Sequence, residues 1–124
     1  RRSCDSIQEC LNVLSSDADC VFAATPDCFQ DQEADSSQYN DYSLCGDLYS
    51  RLNGFMNVCT HSHGMFWALM RRENLVTCVE KFPTFFLAHD WSIIVHMLLQ
   101  GTFRRTTTGL MILGGGASRQ SGGH

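Results

Sequence analysis

Apolar residues recur along much of this chain at steps of three and four, the period that lays one stripe along a helix. Cys4, Ile7, Leu11 and Leu14 open the pattern at spacings of 3, 4 and 3, which predicts a helix over residues 4–14. Ser15, Ser16 and Asp17 break it, and a short helical turn is expected over 18–24, ended at Thr25-Pro26. Cys45, Leu48, Leu52, Phe55 and Cys59 form the cleanest stripe and predict a helix over 44–59. Another is expected over 65–82, carrying Ala68, Leu75, Cys78, Val79 and Phe82 and stopped by Pro83. The short turn at 60–64 makes these two an antiparallel hairpin.

The rest of the pattern is less regular. Residues 29–43 are acidic and poor in aliphatics, as in a solvated loop. Residues 85–100, FFLAHDWSIIVHMLLQ, are apolar nearly all round, with His89, Ser92, His96 and Gln100 as one narrow polar stripe. Such a helix is buried or meets a partner, and Phe85, Phe86, Trp91, Ile94 and Leu98 are its candidate hydrophobic contacts. Its length, roughly 24 Å, falls short of a bilayer core, so no transmembrane span is expected. Gly101 stops it. Residues 103–108 and 110–113 have the makings of short strands with no marked partner, and 114–124 are rich in glycine and serine, as in a disordered tail. The expected organisation is therefore a helical domain over 1–101 and, after it, an irregular segment and tail over 102–124.

Cysteine usage turns that helical outline into a specific expectation. The 124 residues make one domain and include seven cysteines, Cys4, Cys10, Cys20, Cys28, Cys45, Cys59 and Cys78, with no CxxC pair among them. Dispersed cysteines with a single lysine point to an oxidising compartment, hence to a secreted protein. Folding the hairpin about Ser62 sets Cys45 opposite Cys78 as the best disulfide pair, and an odd count leaves one thiol for a dimer. The predicted fold class is all-α: a small disulfide-stapled bundle of about four helices.

Charge and candidate chemistry narrow the function only by exclusion. Residues 1–50 carry a net charge of -8 and residues 51–124 one of +4, an asymmetry that can join two faces of one domain. Two arginine pairs, Arg71-Arg72 and Arg104-Arg105, make no nucleic-acid footprint beside so acidic a first half. His61 and His63, with Cys59 close by, are the candidate metal ligands, but a fourth ligand is missing and an oxidised Cys59 supplies no thiolate. Asp31, Glu33 and Asp35 begin like a calcium loop, which then lacks its glycine at Ser36 and its last carboxylate at Tyr42. No G-x-S-x-G elbow occurs, no cofactor motif is present, and no catalytic residue is nominated. The expectation is a secreted, non-enzymatic binding or signalling module acting through its surface on a protein partner. A carrier of a small hydrophobic ligand, or a membrane-associating protein using residues 85–99, is the first alternative. A metal-binding or hydrolytic protein is the second.

Overall fold

A computed structural model describes the backbone of residues 3–81 and 89–114. The first predicted helix forms as α1 (Ser3–Ser16). In place of the expected helical turn after it, the chain forms a strand, β1 (Cys20–Ala24), and then a second strand, β2 (Asp27–Phe29). Two 3-10 turns and an extended stretch lead to α2 (Leu48–Val58), whose first turn is capped by the Asp47 carboxylate accepting from the Ser50 amide at 2.8 Å. Hydrogen bonds from Ser50, with the nearby Arg51 charge, hold the Asp47 carboxyl below its ordinary range.

The expected second arm of the hairpin is broken into pieces. A one-turn helix α3 (His63–Phe66) leads into a two-residue strand β3 (Leu69–Met70), and only then does α4 (Arg72–Lys81) begin. The last helix is α5 (His89–Gln100), which runs on to β4 (Thr102–Arg105) and β5 (Met111–Leu113). The fold is therefore a mixed α/β arrangement and not an all-α bundle. A three-stranded sheet runs β3-β1-β4, with β3 antiparallel and β4 parallel to β1, and a two-stranded parallel sheet pairs β2 with β5. Both β4 and β5 come from the segment beyond residue 101, which the sequence pattern sets apart from the domain.

The central element is β1, and its sequence explains why it reads as helical. All five residues of Cys-Val-Phe-Ala-Ala are buried, because helices cover both faces of the sheet. A strand covered on both sides shows a continuous apolar run with no alternation, which periodicity alone does not separate from a buried helix. A register shift between Cys20 and Phe22 in the pairing with β4 turns Cys20 onto the same side as Ala23. Those two pack with Cys10 and Leu14 of α1, whereas Val21, Phe22 and Ala24 join the main core with Phe55, Met65, Ile94, Met97, Leu98 and Phe103. Gly101 lets α5 pass directly into β4: a Cβ there would lie 2.5 Å from the Asp19 carbonyl oxygen and 2.6 Å from Val21 Cγ1.

Helix α5 is the hub of the helical side. Both α2 and α4 pack on it, so the expected hairpin is replaced by two separate contacts with α5. Ile94 and Leu98, two of the candidate contact residues, lie wholly inside the core, while Trp91 is partly exposed with its ring edge-on to Phe55 at 6.4 Å. Phe85 and Phe86 fall outside the described residues.

No disulfide staples the described residues. Cys10, Cys20, Cys28, Cys45, Cys59 and Cys78 are all free thiols, and the side chain of Cys4 falls outside the described residues. The Cys45–Cys78 pair fails because the hairpin that was to juxtapose them does not form. Cys45 sits by the Phe103 carbonyl at 3.7 Å, and Cys78 accepts from Gln100 Nε2 at 3.4 Å. Four of the six are buried, and burial pushes the thiols of Cys10, Cys20, Cys28 and Cys78 above the usual range. These cysteines act as small apolar core residues.

Candidate functional site

Three segments far apart in sequence meet around an open cleft of about 250 Å³. Its first wall is α1, through Ser6, Ile7 and Cys10. Its floor is the end of β1, Ala23 and Ala24, continued by Thr25. The opposite wall is Trp67, Ala68 and Leu69 entering β3, and Met111 of β5 closes one side. Small side chains on the floor make the space: two alanines lie where larger residues would fill it.

The lining is apolar except at one end. Trp67, 66% exposed, stands at the rim with its ring edge-on to Phe66 at 5.4 Å, and Ile7 and Leu11 extend the apolar surface along α1. Cys10 is only 5% exposed, and burial pushes its thiol up to about 11, with the neighbouring Cys20 adding to the rise. Burial thus favours its neutral thiol form, and it lies in the apolar wall of the cleft.

The polar end consists of Ser6 and Thr25, which meet at Gly109. A Cβ at Gly109 would lie 3.0 Å from Thr25 Cγ2 and 3.2 Å from Ser6 Oγ, and its φ of +87° suits glycine alone. Directly behind Thr25 lies a buried ion pair. Arg105 Nη1 donates to the Asp27 carboxylate at 2.5 Å and to the Thr25 carbonyl at 2.8 Å. The Asn40 side-chain amide donates to the other Asp27 oxygen at 2.9 Å. The rings of Tyr42 and Phe103 flank the guanidinium, at 4.9 and 5.0 Å from its central carbon. The charge is thus matched inside the protein.

Two buried polar atoms in this region lack a hydrogen-bond partner among the described residues, Thr25 Oγ1 and Arg105 Nη2. Such atoms are uncommon, since leaving a buried donor or acceptor unpaired costs its full desolvation. Arg105 Nη2 has the aromatic faces beside it. Thr25 Oγ1 has nothing of the kind, and its residue lines the cleft.

The metal candidates of the sequence do not converge. His61 and His63 are both exposed; the His61 carbonyl accepts from Tyr42 Oη at 2.6 Å, and the His63 ring lies edge-on to Phe29 at 5.3 Å. Among the described residues no three His, Cys, Asp or Glu side chains gather where an ion would sit. The acidic run folds on itself instead, with Asp35 accepting from the Ser37 amide and hydroxyl at 3.1 and 2.7 Å. Among the described residues, no helix is long and apolar enough to cross a membrane.

Apart from Cys10, expected in a disulfide, the sequence pattern marks none of the cleft residues as a site. The one available signal is on α1, where Ile7 and Leu11 belong to a stripe whose outer edge stays uncovered. Fold and cleft define a small α/β domain with a one-sided apolar recess. Comparison with known proteins adds no match: no family model fits the chain, and no curated protein or solved structure is similar to it.

Proposed function

We propose that this chain is a non-enzymatic binding domain that holds a small apolar molecule between α1, the β1–β3 pair and β5. The observation that carries this reading is the cleft itself, apolar along three walls, open, and rimmed by an exposed indole. An apolar cavity of about 150 Å³ is enough to take benzene, so a recess of about 250 Å³ has room for a ring with a substituent. Water in such a recess finds few partners, and its release to bulk favours an apolar occupant. Free thiols take away the cysteine argument for an oxidising compartment, and ligand capture of this kind does not depend on one.

The test uses the two tryptophans. A Trp91→Phe variant leaves Trp67 as the single indole, so its emission reports on the cleft alone. Titration with methylcyclohexane is expected to give a saturable change. Ala68→Phe, which adds a ring to the wall, is expected to abolish it while leaving the circular-dichroism spectrum intact. A linear, unsaturable response, or an identical one in the filled variant, overturns the reading.

A further inference from the structure

We infer that the ligand of this cleft carries one neutral hydroxyl, which pairs with Thr25; this rests on the apolar-ligand reading above. Thr25 is 1% exposed, yet its Oγ1 has no hydrogen-bond partner among the described residues. A hydroxyl left so costs stability that an isosteric valine would not. The residue also lies at the polar end of the cleft, where it meets Gly109 and Ser6. In the proposed complex Oγ1 leaves its buried position by a turn about χ1 between staggered wells. An entering hydroxyl then gives it both a donor and an acceptor.

The same geometry selects against a charged head group. Among the described residues the cation behind Thr25 is Arg105, and its charge is already matched by Asp27 at 2.5 Å. A carboxylate at the polar end would lose its water without gaining a counter-charge. Cys10, held neutral by burial, offers no charge either. The class defined is therefore a small alcohol: an apolar ring or short chain with a single hydroxyl at one end.

Cyclohexanol and methylcyclohexane have nearly the same shape and differ by a hydroxyl in place of a methyl. Both are titrated against Trp67 emission in the Trp91→Phe background, with Thr25 intact, as Thr25→Val and as Thr25→Ser. The hydroxyl pair is expected to make Thr25→Val weaken cyclohexanol about tenfold and leave methylcyclohexane unchanged. Thr25→Ser, which keeps the oxygen, is expected to retain the parent's ratio of the two affinities. An unchanged ratio in Thr25→Val, with both probes still binding, overturns the inference and leaves the binding reading standing. An equal loss in Thr25→Val and Thr25→Ser assigns Thr25 to packing and also overturns it. Failure of methylcyclohexane to bind the parent protein overturns the underlying reading instead.

Discussion

Cys10 shows how one side chain ties the protein's interior to pH. Its thiol sits between α1 and β1, and burial raises its pKa from 9.0 to about 11. In the unfolded chain the thiol ionises first, so the folded state is favoured fully below pH 9 and loses that advantage as pH rises towards about 11. Cys20, Cys28 and Cys78 are shifted in the same direction by the same burial. Urea midpoints are therefore expected to fall between about pH 8 and about pH 10.5, with no comparable fall between about pH 7 and pH 8. In Cys10→Ala the decline is expected to be shallower, whatever the variant's midpoint at neutral pH. An equally steep decline would show that the thiol in the cleft wall does not contribute. At this scale the cysteines were legible as residues that matter, but their chemistry was not. Dispersed spacing suits a disulfide framework and a set of buried thiols equally, and only the packing separates the two.

Among the elements, the helices with exposed polar faces were the most legible. The strands β4 and β5, expected over 103–108 and 110–113, were legible without their partners, and β1 and β3 were the least legible. α1 and α2 announce themselves because water on one side enforces a 3.6-residue period. β1 has no wet side, so its five buried residues carry no period at all. β3 was absorbed into a helical stripe because two residues are too few to show alternation; it is a strand only because β1 lies alongside it. Arg71, half of one of the two arginine pairs, is the clamp between these elements. Its backbone amide donates to the Val21 carbonyl at 2.9 Å, and its Nε to the Cys20 carbonyl at 2.7 Å. Its Nη2 reaches the Leu14 carbonyl in the last turn of α1 at 2.5 Å and the Asp17 carbonyl just beyond it at 3.1 Å, the latter also accepting from the Cys20 amide. A lysine cannot reproduce that fork. Arg71→Lys is expected to destabilise the protein by about 1–3 kcal/mol. Amide exchange should speed up most in the last turn of α1 and in β1. Uniformly faster exchange across all helices would instead mean that Arg71 supports the whole fold and not this junction.

At the scale of the whole molecule, the two ends of the chain interlock. β1 pairs in parallel with β4 and β2 with β5, so strands from the first 30 residues depend on strands beyond residue 100. Such pairing leaves no local trace, because a strand's partner is set by topology and not by its neighbours in sequence. For the same reason the cleft was illegible: Thr25, Trp67 and Met111 become neighbours only once the sheets form. The charge asymmetry of the sequence finds its use here, since Arg104 reaches Asp17 at 2.6 Å and Arg105 reaches Asp27 at 2.5 Å, each joining the basic end to the acidic beginning. The exposed Arg104 pair adds little. The buried pair is different, because removing Arg105 leaves Asp27 charged and unpaired in the interior, a defect of about 3–5 kcal/mol. A chain ending at Gly101, the expected domain boundary, loses that arginine together with the fully buried Phe103 ring and both parallel partners. Stability totals for small domains are about 5–15 kcal/mol, so these losses together are expected to abolish cooperative folding. The measurement is thermal and urea unfolding of that chain beside one ending at Gly114, which keeps every described strand. A sigmoidal transition in the shorter chain would mean that α1 to α5 hold together without β4 and β5. The sheet would then be an addition to a helical core, whereas β1, buried between α1 and α5, is arranged as the element around which both ends close.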